Sequence, residues 1–242
     1  MRQKIFTIAM LAVLVTGCAA STDPEAIAQN DPYESTNRAI FDFNAGLDKH
    51  FARPIAKGYN SIVPQFARNG VHNFLTNLDK PVTFGNDLLQ GEGTRAGQTL
   101  GRFTVNLVLG VGGLVDVATM VGIPDHSEDF GQTLGVWGAG EGPYLVMPFL
   151  GPDPPRDLTG DVVDIFIDPT TYIRFHGSDT WYAVRSGVSM LDLRARNIDT
   201  LDQIERTSID LYATTRSLYR QYRNSEIRNG KPDTSDTGTP DF

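Results

Sequence analysis

Residues 106–124, "NLVLGVGGLVDVATMVGIP", carry one charge, Asp116, and four glycines in an otherwise apolar run. How this run is placed decides the fold: a membrane span, a core helix, or a bent element with lipid on one side. Seventeen residues separate Asn106 from Pro124, and at about 1.5 Å per residue a helix of that length reaches about 26 Å against a hydrocarbon core of about 30 Å. A span falls short. Gly110, Gly112 and Gly113 each cost a helix interior about 1 kcal/mol relative to alanine, so the run is expected to be a hairpin. One arm ends near Leu109, a glycine turn follows, and a second arm covers residues 114–121. Two placements stay open. The hairpin can be buried in the core of a soluble domain, or it can enter a bilayer and return without crossing. The second placement turns Asp116 toward protein or a polar cavity, because a lipid-facing carboxylate costs at least about 2.5 kcal/mol.

Working outward, the N-terminus sets the compartment. "MRQKIFTIAMLAVLVTGC" opens on Arg2 and Lys4, continues through an apolar run and reaches small residues before Cys18, the pattern of a secretory signal peptide. Residues 15–18, "VTGC", resemble a bacterial lipobox, in which the cysteine takes a diacylglyceryl group and becomes the first mature residue. Cys18 is the only cysteine, so no disulfide can form within the chain, and a lone thiol in that position is a lipid attachment point. Ala19 after it, in place of aspartate, resembles an outer-membrane sorting signal. Acyl chains contribute about 0.8 kcal/mol per buried CH₂, enough for several of them to hold a protein on a membrane.

Removal of Arg2 and Lys4 with the leader takes the formal charge from −8 to −10, which argues against nucleic acid and against adhesion to anionic headgroups. The reading divides the chain into a signal peptide (1–17), a lipidated tether (18–34), one helical domain (35–225) and a disordered polar tail (226–242). Ser35 or Thr36 can cap a first helix in which Ile40, Phe43, Leu47 and Phe51 share a face. Pro54 can open the next helix, and Pro81 is expected to punctuate a third, leaving "VTFGNDLLQGEGT" as a short helix of its own. Residues 94–108 carry Leu100, Phe103 and Leu107 on one face. Asp125 and Glu128 read as a solvated helix start with a variant capping box. From Trp181 to Tyr222 the pattern is that of an amphipathic helix or helix pair. Alternating β-branched runs are scarce, and with 38 glycines and prolines in 242 residues long helices should be few before the C-terminal third.

Catalytic constellations are missing from the sequence. It has no Gly-x-Ser-x-Gly elbow and no phosphate-binding loop with its lysine. His50, His72, His126 and His176 are scattered without metal-ligand spacing, so neither a metal nor a diffusible cofactor is expected.

The ordered segments "DPYESTNRAIFDFN", "RPIAKGY", "RNGVHNFLTNL", "NDLLQG", "GRFTVNLVLGVGGLVDVA", "EDFGQTLGVWGAGEGPYLVMPFLGP" and "RDLTGD" closely resemble the MlaA family, also called VacJ, of phospholipid-transport lipoproteins. That resemblance implies a mainly α fold: a ring-like assembly of short amphipathic helices with an internal glycine-rich apolar hairpin and C-terminal amphipathic helices. It implies a non-enzymatic outer-membrane lipoprotein, anchored in the periplasmic leaflet and partly embedded. Such a protein removes phospholipids that have strayed into the outer leaflet, through an amphipathic channel, and so maintains lipid asymmetry. The implied partners are a trimeric porin and a soluble periplasmic carrier feeding an inner-membrane ABC transporter, with phospholipid as transported ligand. Gly110, Gly112, Gly113 and Asp116 then become a hinge or gating hairpin. Asn37, Phe41, Phe43, Asn44 and Asn106 become candidates to line or adjoin the channel, the polar ones having capping or helix-to-helix hydrogen bonding as their alternative. Leu107, Leu109, Val111, Leu114, Val115, Val117 and Met120 become candidates for membrane embedding. The competing readings are an envelope scaffold that transports nothing and a membrane-anchored lipase.

Overall fold

The computed structural model describes residues 23–231. The expected signal peptide, the expected lipid attachment point Cys18 and the end of the polar tail lie outside the described residues. The chain is mainly α. In order run α1 (Pro24–Ala28), α2 (Glu34–Leu47), a π-helical turn (Asp48–Ala52), α3 (Arg53–Ile62), α4 (Gln65–Leu89), α5 (Gly93–Val108), α6 (Val117–Met120) and α7 (Phe130–Val136). There follow the two-residue strands β1 (Val146–Met147) and β2 (Gly151–Pro152), then α8 (Pro155–Ile167), a 3₁₀ turn (Pro169–Tyr172), α9 (Ser178–Arg196), α10 (Ile198–Thr207) and α11 (Leu211–Ile227). β1 and β2 form a small antiparallel hairpin, Val146 opposite Pro152.

Contacts between elements close into a circuit. α2 continues through the π turn into α3, α3 packs on α9, α9 on α4, and α4 on α7 and α8. α7 packs on α11, and α11 returns to the start, where Arg38 of α2 pairs with Asp210 at 2.7 Å and Arg216 with Asp31 at 2.6 Å. This is the ring-like arrangement of short helices. α7 meets α8 through glycine: a Cβ on Gly160 would stand 2.2 Å from the backbone nitrogen of Gly131, so any larger residue separates the two helices.

Four expectations about elements are corrected. Pro81 does not end a helix; α4 runs through it for 25 residues. A proline inside a helix costs about 3 kcal/mol, but Lys80 before it and Asn86 after it are anchored to neighbouring segments, Lys80 to Asp125 at 2.6 Å and Asn86 to Asp164 at 2.9 Å. The ordered domain also begins before residue 35: α1 is a helix, and Asp31 is fully buried, accepting from Asn37, Arg216 and Tyr212. At the other end α11 continues to Ile227, past the expected start of the tail. The first long helix starts at Glu34 behind Tyr33, with no side-chain cap from Ser35 or Thr36.

The distribution of polarity is inverted relative to a water-soluble domain. The apolar core is small, centred on Tyr144, Val146 and Tyr212 with Ile40, Phe41 and Tyr219 against it. Elsewhere the interior is polar: Asn77, Lys80, Thr83, Asn86, Asp87, Thr99 and Arg102 are all buried. Ile62, Phe66, Val108, Leu109, Met120, Phe149 and Phe166 stand exposed on the outside. α5 shows the inversion within one helix, burying Ala96, Thr99, Arg102 and Asn106 while Leu100, Leu107 and Val108 face outward.

Candidate functional site: an apolar hairpin, a polar interior and a cavity

The glycine-rich run folds as a hairpin whose apolar side chains are outside. Leu107, Leu109, Val111, Leu114, Val115 and Met120 are exposed, Met120 at 74%, and Val117 is half-buried. This corrects the buried-core placement. The second arm is shorter than expected: a bonded turn occupies residues 109–116, and only Val117–Met120 is helical. Among the described residues no helix is long and apolar enough to cross a membrane.

The turn is braced. Gly112 N–H donates to Leu107 O at 3.1 Å, Gly113 N–H to Asn106 O at 2.9 Å and Val115 N–H to Gly110 O at 2.9 Å, which satisfies carbonyls that a helix end leaves open. The three glycines have different reasons. A Cβ on Gly110 would fall 2.1 Å from Val115 O, and one on Gly113 would fall 2.9 Å from Asn77 Cβ, so both permit close approach. Gly112 has open space around it and a φ of +70°; only there is the requirement purely conformational.

Asp116 turns inward. Its carboxylate caps α6 through Thr119 N–H, receives Asn106 Nδ2 at 3.0 Å, and takes a two-pronged bond from Arg102 Nη2 at 2.9 and 2.8 Å. Burial pushes this group up, but hydrogen bonds from Thr119, Asn106 and Arg102 outweigh it and hold the pKa at about 2. Arg102, 2% exposed, also donates to Thr119 Oγ1 at 3.1 Å and Ile123 O at 2.6 Å, and its Nε lies 3.1 Å from Asp125. A buried guanidinium is tolerable only with such a set of partners. Residues 125–128 join this network and are not a solvated helix start. Asp125 receives Lys80; His126 Nε2 lies 3.0 Å from Asp87; and Glu128, 3% exposed, receives Gln90 at 2.8 Å and also Arg95. The helix begins later, at Phe130, capped by Asp129. Thr99, His126 and Asp87 converge in a way that imitates a catalytic trio, yet Thr99 and Asp87 are buried at 1% and 0% exposure.

The polar residues proposed from sequence to line a channel are spent on other tasks. Asn37, 2% exposed, donates to Tyr144 O at 2.9 Å and accepts from Val146 N–H at 3.0 Å. Asn44, two turns later on the same face, donates to Met147 O at 2.9 Å and accepts from Phe149 N–H at 2.8 Å. Both clamp the β-hairpin, holding Phe149 at its positive φ of 69°. Phe41 packs edge-on to Tyr212 and Phe43 edge-on to Phe149. Asn106 accepts from Ala118 N–H at 2.8 Å. Asn106 and Asp116 come together, and their job is to tie the hairpin to α5.

A cavity of about 790 Å³ opens instead between α4, α8 and α9. Asp79, Asp161, Asp164 and Arg185 line it, with Ser127, Ser186 and Ser189 as hydroxyls and Val82, Ile165 and Met190 as its apolar part. Arg185 is held between Asp79 at 2.6 Å and Asp168 at 3.0 Å. Asp161 is pushed up to about 6 by burial and by the neighbouring Asp129 and Asp164. Burial also raises Asp164 and Asp79, Arg185 opposing it at Asp79. A space with charged, hydroxyl and hydrocarbon walls can solvate a charged group while leaving an apolar chain beside it. These residues were missed, although α8 announces them: Asp157, Asp161, Asp164 and Asp168 recur every three or four positions in "RDLTGDVVDIFID", an acidic stripe along an otherwise apolar helix. Among the described residues no group of three or more histidine, cysteine, aspartate or glutamate side chains is arranged to hold a metal ion.

Comparison with known proteins gives a consistent result. The profile of the family described as MlaA lipoprotein matches residues 29–226. The intermembrane phospholipid transport system lipoprotein MlaA of Haemophilus influenzae is 35% identical, across 99% of this chain and 96% of its own. Its Escherichia coli namesake is 35% identical across 95% and 90%. An uncharacterized protein of Rickettsia bellii is 37% identical across 83% and 78%. A solved structure from work on the structural basis for maintenance of bacterial outer membrane lipid asymmetry superposes with a TM-score of 0.73 at 36% identity, covering 81% of this chain and 98% of its own.

Proposed function

The chain belongs to the MlaA lipoprotein family, and from that premise we propose that it removes phospholipids misplaced in the outer leaflet of the outer membrane and passes them to a soluble periplasmic carrier. The carrier feeds an inner-membrane ABC transporter, and a trimeric porin holds the protein in place. The observation that carries this reading is the inversion of polarity. Apolar side chains face outward from the hairpin and from α3 through α5, while Arg102, Asp116, Lys80 and Asp87 are bonded within.

An apolar exterior suits hydrocarbon surroundings, and closed helices satisfy their backbone groups internally, as a lipid-embedded chain must. A phospholipid headgroup needs a polar route past that exterior, which the cavity between α4, α8 and α9 supplies. The lipid on Cys18 anchors the protein to the periplasmic leaflet, and the hairpin lies in that leaflet without crossing it. No step makes or breaks a covalent bond. The hairpin is the candidate gate, with Gly112 as its flexible point.

The test compares outer-leaflet glycerophospholipid in the parent strain, a deletion strain and a strain producing Cys18→Ala. An increase in both mutants is expected. An unchanged outer leaflet in the deletion, with no second removal pathway, would replace transport with a scaffolding role.

A further inference from the structure

We infer that the cavity and a smaller groove beside it are two halves of one lipid site, the cavity taking the headgroup and the groove one acyl chain of the same phospholipid. The inference rests on the phospholipid reading above and adds where the ligand sits. The groove, about 310 Å³, is lined by Leu78, Thr170, Ile173, Phe175, Trp181 and Tyr182, side chains that offer it mainly hydrocarbon.

A thin partition, residues 170–175, separates the two spaces; its first residues belong to the 3₁₀ turn, and from Ile173 to Phe175 its side chains alternate between them. Thr171 and Arg174 line the cavity, whereas Thr170, Ile173 and Phe175 line the groove. Ile173 is extended backbone, φ −74° and ψ 116°, and extended residues send successive side chains to opposite sides. One short segment thereby gives a guanidinium to one compartment and an isoleucine and a phenylalanine to the other.

The partition is fixed on its polar side. Arg185 donates to Thr170 Oγ1 at 2.7 Å and to Asp168 at 3.0 Å, and Thr170 N–H and Oγ1 bond to Asp168, both at 2.8 Å. Tyr182 lines both spaces; its hydroxyl is consumed by the carbonyls of Thr170 and Ile173, so its ring is what the groove meets. Arg174 is exposed at the cavity wall with no ion pair among the described residues, which leaves it for a phosphate. A peptide would need backbone hydrogen-bond partners that so apolar a groove does not offer. A molecule with a phosphate at one end and a hydrocarbon chain at the other matches both compartments and the wall between them.

Trp181 supplies the readout, since the chain has two tryptophans and Trp137→Phe leaves Trp181 alone. The full chain carrying that change, in detergent, is titrated with phosphatidylethanolamine bearing brominated acyl chains, and the phosphorus bound to the purified protein is measured in parallel. Quenching of Trp181 that saturates near one lipid per protein is expected. Ser186→Phe, which narrows the cavity at a residue that does not line the groove, is expected to raise the lipid concentration needed about tenfold. Ile173→Glu should abolish quenching. Quenching that ignores Ser186→Phe would show only general detergent and lipid contact and would overturn the two-part site. Bound phosphorus without quenching would overturn the groove while leaving phospholipid binding intact. Neither phosphorus nor quenching would count against the phospholipid reading itself.

Discussion

Replacing Gly110 by alanine separates tight packing from hinge motion in the apolar hairpin. The new Cβ would stand 2.1 Å from Val115 O and 2.5 Å from Asn106 O, and both are backbone atoms that cannot rotate away. The turn must open, losing the bonds from Gly112 to Leu107, Gly113 to Asn106 and Val115 to Gly110. At about 1 kcal/mol net for each bond, the local cost is about 3 kcal/mol. Gly112→Ala is the control, because its Cβ meets nothing within 4 Å and bears only the positive φ, a cost of about 1 kcal/mol. Amide hydrogen exchange over residues 107–118, measured by mass spectrometry in detergent, should accelerate roughly a hundredfold in the first variant and about fivefold in the second. Equal exchange in the two would refute the packing argument and return all three glycines to a common hinge role.

Other consequences are testable in the same preparations. Arg102→Met should leave Asp116 half-buried without its cation and lower stability by about 3 kcal/mol, read as an earlier thermal transition by circular dichroism; an unchanged transition would mean that the Arg102–Asp116 pair does not hold the hairpin. Asp153 and Asp161 sit at about 7 and about 6, raised by burial and neighbouring carboxylates. A raised carboxylate contributes stability below its ordinary pKa and loses it as pH rises through the folded value. The melting temperature should therefore climb as pH falls from 8 to 5, and Asp153→Asn should flatten that slope. Below pH 4 the trend should reverse, as Asp116, held at about 2, takes up its proton. Val111→Asp and Met120→Asp, at exposed hairpin positions, should weaken liposome flotation of the Cys18→Ala protein, since a charge facing lipid costs at least about 2.5 kcal/mol; undiminished flotation would remove the hairpin from the membrane contact.

Helix positions were legible because apolar spacing is local. The helix expected over residues 94–108 is α5 almost to the residue, and the turn after Leu109 follows from three glycines. What spacing does not encode is which side meets solvent. Leu100, Phe103 and Leu107 define a face of α5 equally well whether it points to a core or to lipid, and here the adjoining face, Thr99, Arg102 and Asn106, about 100° around the helix, is the buried one. Pro81 misled because its penalty is local while the bonds of Lys80 and Asn86 that offset it reach residues 45 and 78 positions away. Asp125 to Glu128 misled for the same reason, their partners Lys80, Asp87, Gln90 and Arg95 coming from α4, its C-cap and α5. The cavity was hidden because it needs three helices brought together, though the acidic stripe of α8 was in plain view.

The outward-facing apolar surface also bears on the protein's history before it reaches its membrane. On the proposed function, the chain crosses an aqueous compartment after the inner membrane with Ile62, Phe66, Leu109 and Met120 outermost in the folded form. Contiguous apolar surface in water promotes self-association, so a fold of this kind cannot be left waiting in solution. Either an escort shields that side, or folding is completed only on arrival. Delivery and structure are thus one problem for this molecule: the surface that fits it to its destination makes the journey hazardous.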